Sequence, residues 1–429
     1  MKKLILFAAL ALWSAAVVAQ VEPTDKTTKK KRQSTTVIVI GENTDDNPVK
    51  VIALEYFQKT FTPAFREVGM PRFMITDHKA KAIFAVGGFV NFRTAYDFNS
   101  VLPNLDFVTY NIPSTRSSGD AGRVLMDGST SRLYFKTVIS TNKGPLQAYI
   151  ETDFRGTNYA LRLRQAYVSF MGFTLGQTVT TFCDQSTSFN TIDFEGPNGY
   201  TYGRNLMIRY HHAWKNGLSA AIAAEYPVVS ATYGTKNEAI YQRVPDIPFY
   251  IQYAWNDNKS HVRASAVLRN MYYRNLESLQ TIDQIGWGVQ LSATWAVGPK
   301  LQLYGQIVYG QGITPYISDL QGSGMDMIGS TKNGTMKTPG QLAWLAGMQV
   351  MLTPKTPFTL GYSQVEMSDT DKQMAGTDYQ MGRYAVANLF YNFSPSWSVG
   401  AEYLYGTRTN FDGTYGQSQR FQMAVQLNF

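Results

Sequence analysis

The chain closes on Phe421-Gln422-Met423-Ala424-Val425-Gln426-Leu427-Asn428-Phe429. Apolar side chains hold positions 421, 423, 425, 427 and 429, while Gln422, Gln426 and Asn428 lie between them. Successive side chains of a strand point to opposite faces, so this segment has one greasy and one polar face. The same alternation recurs upstream. Leu218, Ala220, Ile222, Ala224 and Tyr226 oppose Ser219 and Glu225. Ile285, Trp287, Val289, Leu291, Ala293, Trp295 and Val297 oppose Gln290, Ser292 and Thr294. Leu342, Trp344, Ala346, Met348, Val350 and Leu352 oppose Gln341 and Gln349.

Read this way, residues 81–429 hold sixteen candidate strands. Alternate joins are turn-forming: Thr141-Asn142-Lys143-Gly144, Met171-Gly172, Lys215-Asn216-Gly217, Asn256-Asp257-Asn258-Lys259, Gly298-Pro299, Pro354-Lys355-Thr356-Pro357 and Ser394-Pro395-Ser396. The other joins are mostly long: 99–129, 182–201, 228–245, 312–339 and 368–379. Short turns at one end, long loops at the other and an apolar outer face are the pattern of a transmembrane β-barrel. Trp255, Trp295, Trp397 and Tyr405 fall near strand ends, where aromatic girdles lie. The expected fold is all-β, a sixteen-stranded antiparallel barrel with both chain ends on the short-turn side. A soluble sandwich or propeller also alternates. It has no need of such long greasy outer rows or of alternating short and long joins.

Composition agrees. Of 429 residues 16% are charged and 14% aromatic, with 27 Tyr and 24 Phe, which excludes a disordered polyelectrolyte. One cysteine, Cys183, excludes a disulfide framework and a Cys-rich metal site, and four His leave little for a His-built one. No cofactor is expected. Beyond the first twenty residues no apolar run is long enough for a spanning helix.

Residues 1–19 run from Lys2-Lys3 through an apolar stretch to Val17-Val18-Ala19, the form of a cleaved signal peptide. Residues 20–80 are expected to form a periplasmic extension, with a solvated linker over 20–36 and a small element over 37–80. The run Lys29-Lys30-Lys31-Arg32 is short and exported, so it reads as linker rather than as a nucleic-acid patch. Val37-Ile38-Val39-Ile40 suggests a strand, and Asn47-Pro48 the start of a helix.

A barrel of this size is too wide for side chains to fill and leaves an aqueous lumen. Arg93, Arg132, Arg162, Arg164, Arg204, Arg209 and Arg263 are the candidate pore wall. Asp97, Glu151 and Asp153 are candidate lumen acids. Clustered guanidinium groups in a low-dielectric wall concentrate anions, whereas acids placed across the strands would neutralise them. The join 182–201 carries Phe182, Phe189, Ile192 and Phe194, apolar anchors that a solvated loop does not need. It is expected to fold inward and constrict the lumen, presenting Asp184, Asp193 and Glu195 to the arginine wall.

The run Glu151-Thr152-Asp153-Phe154-Arg155-Gly156, Arg162-Leu163-Arg164-Gln165-Ala166-Tyr167, Gly176-Gln177-Thr178, Asp193-Phe194-Glu195-Gly196-Pro197 and Arg204 to Arg209-Tyr210 resembles the DcaP-like outer-membrane porins. An alternating strand that ends on an aromatic, here Phe429, is also similar to the signal of outer-membrane barrels. The resemblance implies a homotrimeric porin in the bacterial outer membrane, with an inward third loop. It implies passive diffusion of small polar solutes, favouring anions such as dicarboxylates. It also implies that Arg162, Arg164, Arg204 and Arg209 contact the anion. Gln165 stands where the family motif often has His, and 37–80 lacks the coiled-coil pattern of some members. The partners expected are small solutes, membrane lipid and further copies of the chain, with no nucleic acid. An enzyme is disfavoured, because no nucleophile elbow or phosphate-loop fingerprint is present. A non-conducting adhesion or scaffold barrel is the stronger rival, and it would show no conductance.

Overall fold

The computed structural model describes residues 36–40, 53, 65, 68–77, 79–99, 102, 105–115, 122–330, 334–369 and 374–429. The expected signal segment, the basic run and the helix after Asn47-Pro48 lie outside the described residues.

Among the described residues, sixteen strands close an antiparallel barrel. They are β1 Ala82–Asp97, β2 Arg132–Thr141, β3 Gly144–Asp153, β4 Arg162–Phe170, β5 Phe173–Val179, β6 Arg204–Ala213, β7 Leu218–Glu225 and β8 Ile247–Trp255. The second half comprises β9 Ser260–Asn275, β10 Thr281–Ala296, β11 Leu301–Gln311, β12 Gly340–Thr353, β13 Thr356–Ser368, β14 Tyr379–Ser394, β15 Trp397–Asn410 and β16 Tyr415–Asn428. Each expected strand is found. The seam runs between β16 and β1, with Arg420 opposite Asp97 and Leu427 opposite Val90. Phe429 completes it by exchanging two backbone hydrogen bonds of 2.9 Å with Gly88.

Register follows the pleat. Along β16, Phe421, Met423, Val425 and Leu427 point out, while Gln422, Ala424 and Gln426 are buried inside. Exposed Leu, Ile, Val and aromatic side chains continue around the outer face, which is the surface a hydrocarbon phase accepts. Met171 and Gly172 both have positive φ, +51° and +85°, which builds the two-residue hairpin between β4 and β5. The tight turns share one rim, here the turn rim, and the long joins share the other, the loop rim.

Four short strands extend the same sheet. Arg123–Asp127 continues the line of β2 along the upper part of β1, and Asn237–Ala239 flanks the top of β9. At the turn rim, Phe73–Asp77 pairs antiparallel with the start of β1, below the point where β16 ends. Thr36–Ile40 pairs parallel with Phe73–Asp77, so the strand expected at 37–40 forms.

Candidate functional site

Among the described residues, three loops enter the barrel from the loop rim. The one that joins β5 to β6 crosses the inner face of β9 through β15. At its root Asp184 is fully buried and accepts hydrogen bonds from His261 Nε2 and Ser292 Oγ, both at 2.7 Å. Burial alone would raise its pKa, but these bonds and the nearby Arg263 charge hold the carboxyl below the usual range. Farther along, Phe189 lies in a slot over Gly347 and Gly361, where a Cβ would stand 2.3 and 2.2 Å from the ring. Glycine in these two strands thus makes room for the loop. At the tip, the backbone N–H groups of Ile192 and Asp193 each donate to Glu402 at 2.8 Å. On the return, Gly199 N–H donates to Ser363 Oγ at 2.8 Å and Thr201 Oγ1 to Gln290 Oε1 at 2.6 Å. Cys183 is packed against Tyr200 at 3.3 Å, and burial pushes its thiol up to about 12, so it stays protonated.

The other two loops lock onto the first. In 105–112, Phe107 N–H donates to Asp193 Oδ1 at 3.0 Å. Thr109 Oγ1 and Tyr379 OH both donate to Asp319 Oδ2 at 2.6 Å, which ties this loop to 312–329. In 312–329, Asp326 is buried against Arg269 at 3.2 Å and accepts from Thr314 Oγ1 at 2.8 Å. Apolar side chains fill the space between: Phe182, Ile313, Tyr316 and Leu320 pack on Val267, Val308, Ala343 and Val365. The inner face of β9–β15 is therefore largely covered by the loops, through apolar packing and buried hydrogen bonds. The aqueous lumen expected from the sequence is narrowed to the side opposite.

On the opposite side stand the arginines, and they fall into two groups. Arg93 pairs with Asp127 at 2.9 Å, and Arg155 with Asp106 at 2.8 Å. Arg162 grips Asp153 through two bonds of 3.0 and 2.6 Å. Arg164 bridges Glu151 at 2.6 Å and Asp153 at 3.0 Å, and Arg132 approaches Glu151 at 3.8 Å. Asp97 is held by Arg420 at 2.6 Å and lies 3.5 Å from Arg123. The guanidinium groups of Arg93, Arg155, Arg162 and Arg164 stand 4.3 to 5.9 Å from the ring of Phe194, so the loop tip packs against a collar of paired arginines. Glu195, next in sequence, is half-buried there. Burial, then the charges of Asp106, Asp193 and Asp319, raise it well above the usual carboxylate range, against the pull of Arg155.

The second group is Arg204, Arg209 and Arg263. Among the described residues none of the three has a carboxylate partner. Arg204 stands 5.3 Å over the Tyr202 ring. Arg209 donates only to the Val179 carbonyl, at 3.3 Å. Arg263 lies 4.0 Å over Tyr250 and donates to Gln252 and the Cys183 carbonyl, both at 2.8 Å. Arg209 and Arg263 line a cavity of about 610 Å³ toward the turn rim, with Lys143, His211, Ser169, Thr174, Thr178 and Thr180. Among the described residues no Asp or Glu lines it. A paired arginine presents a dipole, whose field dies quickly; an unpaired one presents a net charge to the water beside it.

The sequence profile of a family described as DcaP outer membrane protein matches residues 33–295. The chain belongs to the DcaP outer membrane protein family. The crystal structure of the outer membrane channel DcaP of Acinetobacter baumannii shares 20% identity and a TM-score of 0.71, covering 82% of this chain and 98% of that one. The anion-selective porin from Comamonas acidovorans shares 12% identity at a TM-score of 0.55, covering 81% and 100%. Salmonella typhi OmpF, in complex with daunomycin, shares 11% at a TM-score of 0.53, covering 81% and 98%. No curated protein matches. At these identities the structural likeness speaks for the fold, which is that of the porin channels. This DcaP-family barrel is an outer-membrane protein, and it groups with channels rather than with enzymes.

Within the DcaP-family barrel, the expected site residues divide. The seven arginines all lie on the strands or strand ends expected, but not as one bare wall. Arg93, Arg132, Arg162 and Arg164 are paired with Asp127, Glu151 and Asp153, while among the described residues Arg204, Arg209 and Arg263 have no carboxylate partner. The loop 182–201 folds inward, but its acids do not form a front facing the arginines. Asp184 turns to His261 on β9, and Asp193 to Phe107 and Tyr384. Of the three, Glu195 lies with the collar. The reading from sequence missed Asp106, Arg155 and Phe194 as collar members, and missed the inward packing of 105–112 and 312–329. For the last, the signal was present: Ile313, Tyr316, Ile317 and Leu320 are apolar anchors of the kind recognised in 182–201.

Proposed function

We propose that this DcaP-family barrel is a passive-diffusion porin that favours small anions, dicarboxylates among them. The observation that carries the reading is the acid-free crevice in which Arg209 and Arg263 stand without carboxylate partners. A solute leaving the paired collar meets Arg209 and Arg263, the latter backed by buried Asp184, and a row of hydroxyl donors, which suits a carboxylate and repels a cation. In the same reading the chain is exported by a cleaved signal, works as a homotrimer and keeps its tight turns in the periplasm. The Comamonas acidovorans porin, which shares the fold, is described as anion-selective, and that is in keeping with the reading.

Planar-bilayer recording under a salt gradient tests the proposal. Discrete channels should appear whose reversal potential marks anion preference, and Arg209→Ala with Arg263→Ala should move that potential toward zero. A folded barrel that never conducts would leave the scaffold or adhesion reading standing. A cation-preferring channel would show that the collar acids dominate the bore.

A further inference from the structure

The join between β7 and β8 leaves a groove on the outside of the barrel. β7 and β8 pair only from Leu218↔Tyr253 to Ile222↔Phe249, and a single bridge, Glu225↔Asp246, links them above that. Beyond the bridge the chain from Tyr241 to Pro245 swings over to β9. Gln242 ties it there by exchanging side-chain hydrogen bonds with the Tyr272 backbone at 3.0 and 2.8 Å. This strap and the outer faces of β5 and β6 enclose a groove of about 550 Å³. Leu175, Leu206 and Ile208 line it, each about half exposed and each pointing outward.

Charge on the chain leading into the strap is unequally paired. Lys236 pairs with Glu277 at 2.8 Å and Arg274 with Glu238 at 3.5 Å. Arg243, which lines the groove, has no carboxylate partner among the described residues. Its guanidinium lies 5.3 Å over the Tyr272 ring and donates to Thr281 Oγ1 at 3.3 Å. Tyr241 beside it is 95% exposed, the setting of an interfacial aromatic.

A trench in the outer face of an outer-membrane barrel opens onto lipid. Its volume sits within the roughly 300–1,000 Å³ of small-molecule sites. Glu225 also borders the groove, but its buried carboxylate is turned inward to Thr180, Thr181 and Asn205; the aliphatic lining with Arg243 at the loop-rim end complements an amphiphile whose anionic head sits above its tail. We propose that the groove holds one acyl chain of a phosphorylated outer-membrane lipid, with Arg243 on the phosphate. The site is independent of the channel.

The test is native mass spectrometry of the delipidated, refolded barrel after adding bis-phosphorylated lipid A or its dephosphorylated form. Wild type should retain the phosphorylated lipid. Arg243→Ala, Leu206→Trp (which fills the groove) and the dephosphorylated lipid should each weaken retention by about tenfold, the size of one charge-assisted hydrogen bond. Heat-modified gel mobility checks that both variants fold, and their conductance should equal wild type. Absence of retention, or retention that both variants leave unaltered, overturns the proposal. So does loss of protomer association in Leu206→Trp, which would make the groove an interface between copies.

Discussion

Arg164 Nε donates to Glu151 Oε1 at 2.6 Å, and both side chains are almost wholly buried. The pair is thus part of the wall's structure before it is part of the bore. Arg164→Ala should leave Glu151 and Asp153 short of a cation and cost about 3–5 kcal/mol, seen as a lower Tm of the refolded barrel in micelles. Adding Glu151→Gln should recover most of the loss. An unchanged Tm with altered selectivity would show that Arg164 acts as a bare pore group.

Arg209 behaves differently, because it holds up nothing but one 3.3 Å bond to the Val179 carbonyl. Arg209→Ala should change stability by less than about 1 kcal/mol. It should still lower the anion-to-cation permeability ratio at low salt. At 1 M salt, where the screening length is about 3 Å, the difference from wild type should nearly vanish. A salt-independent difference would point to a steric change instead.

Glu195 makes the collar sensitive to pH. Burial and three neighbouring carboxylates raise it well above the usual range, so its neutral form is the one the fold prefers. The stability it contributes is full below the ordinary glutamate range and is lost as pH rises through the raised value. Anion preference should fall over the same rise, as a carboxylate appears beside Phe194. Glu195→Gln should keep the low-pH selectivity at every pH and remove the step. A step that persists in Glu195→Gln assigns it to another group.

Bore size should depend on Glu402, which holds the loop tip through Ile192 and Asp193. Glu402→Ala should free the tip and give larger, noisier single-channel steps. Gly361→Val should do the same without altering charge, by pushing Phe189 out of its slot. If neither variant changes the unit conductance, the loop does not set the bore.

The barrel was legible because its evidence is periodic. Every strand must turn its greasy side to lipid, so β16 and its fellows announce themselves residue by residue. Charge pairing was not legible, because it depends on register. Arg162 meets Asp153 and Gln165 meets Glu151 in the β3–β4 ladder only because a bulge between Glu151 and Thr152 shifts the pairing. No period in the sequence records that extra residue. The inward loops lie between these extremes. Their apolar anchors mark them as packed, but which wall each anchor meets is decided by side-chain hydrogen bonds between segments far apart. Asp193 to Phe107 spans 86 positions and Ile192 to Glu402 spans 210.

Those long spans impose an order on assembly. The loop between β5 and β6 is synthesised early, yet its tip is fastened to Glu402 of β15 and Tyr384 of β14, among the last strands made. Closing such distant contacts is slow and must await β14 and β15. The bore therefore narrows to its final width only once those late strands are in place. The calibre of the bore belongs to the completed chain, not to any hairpin within it.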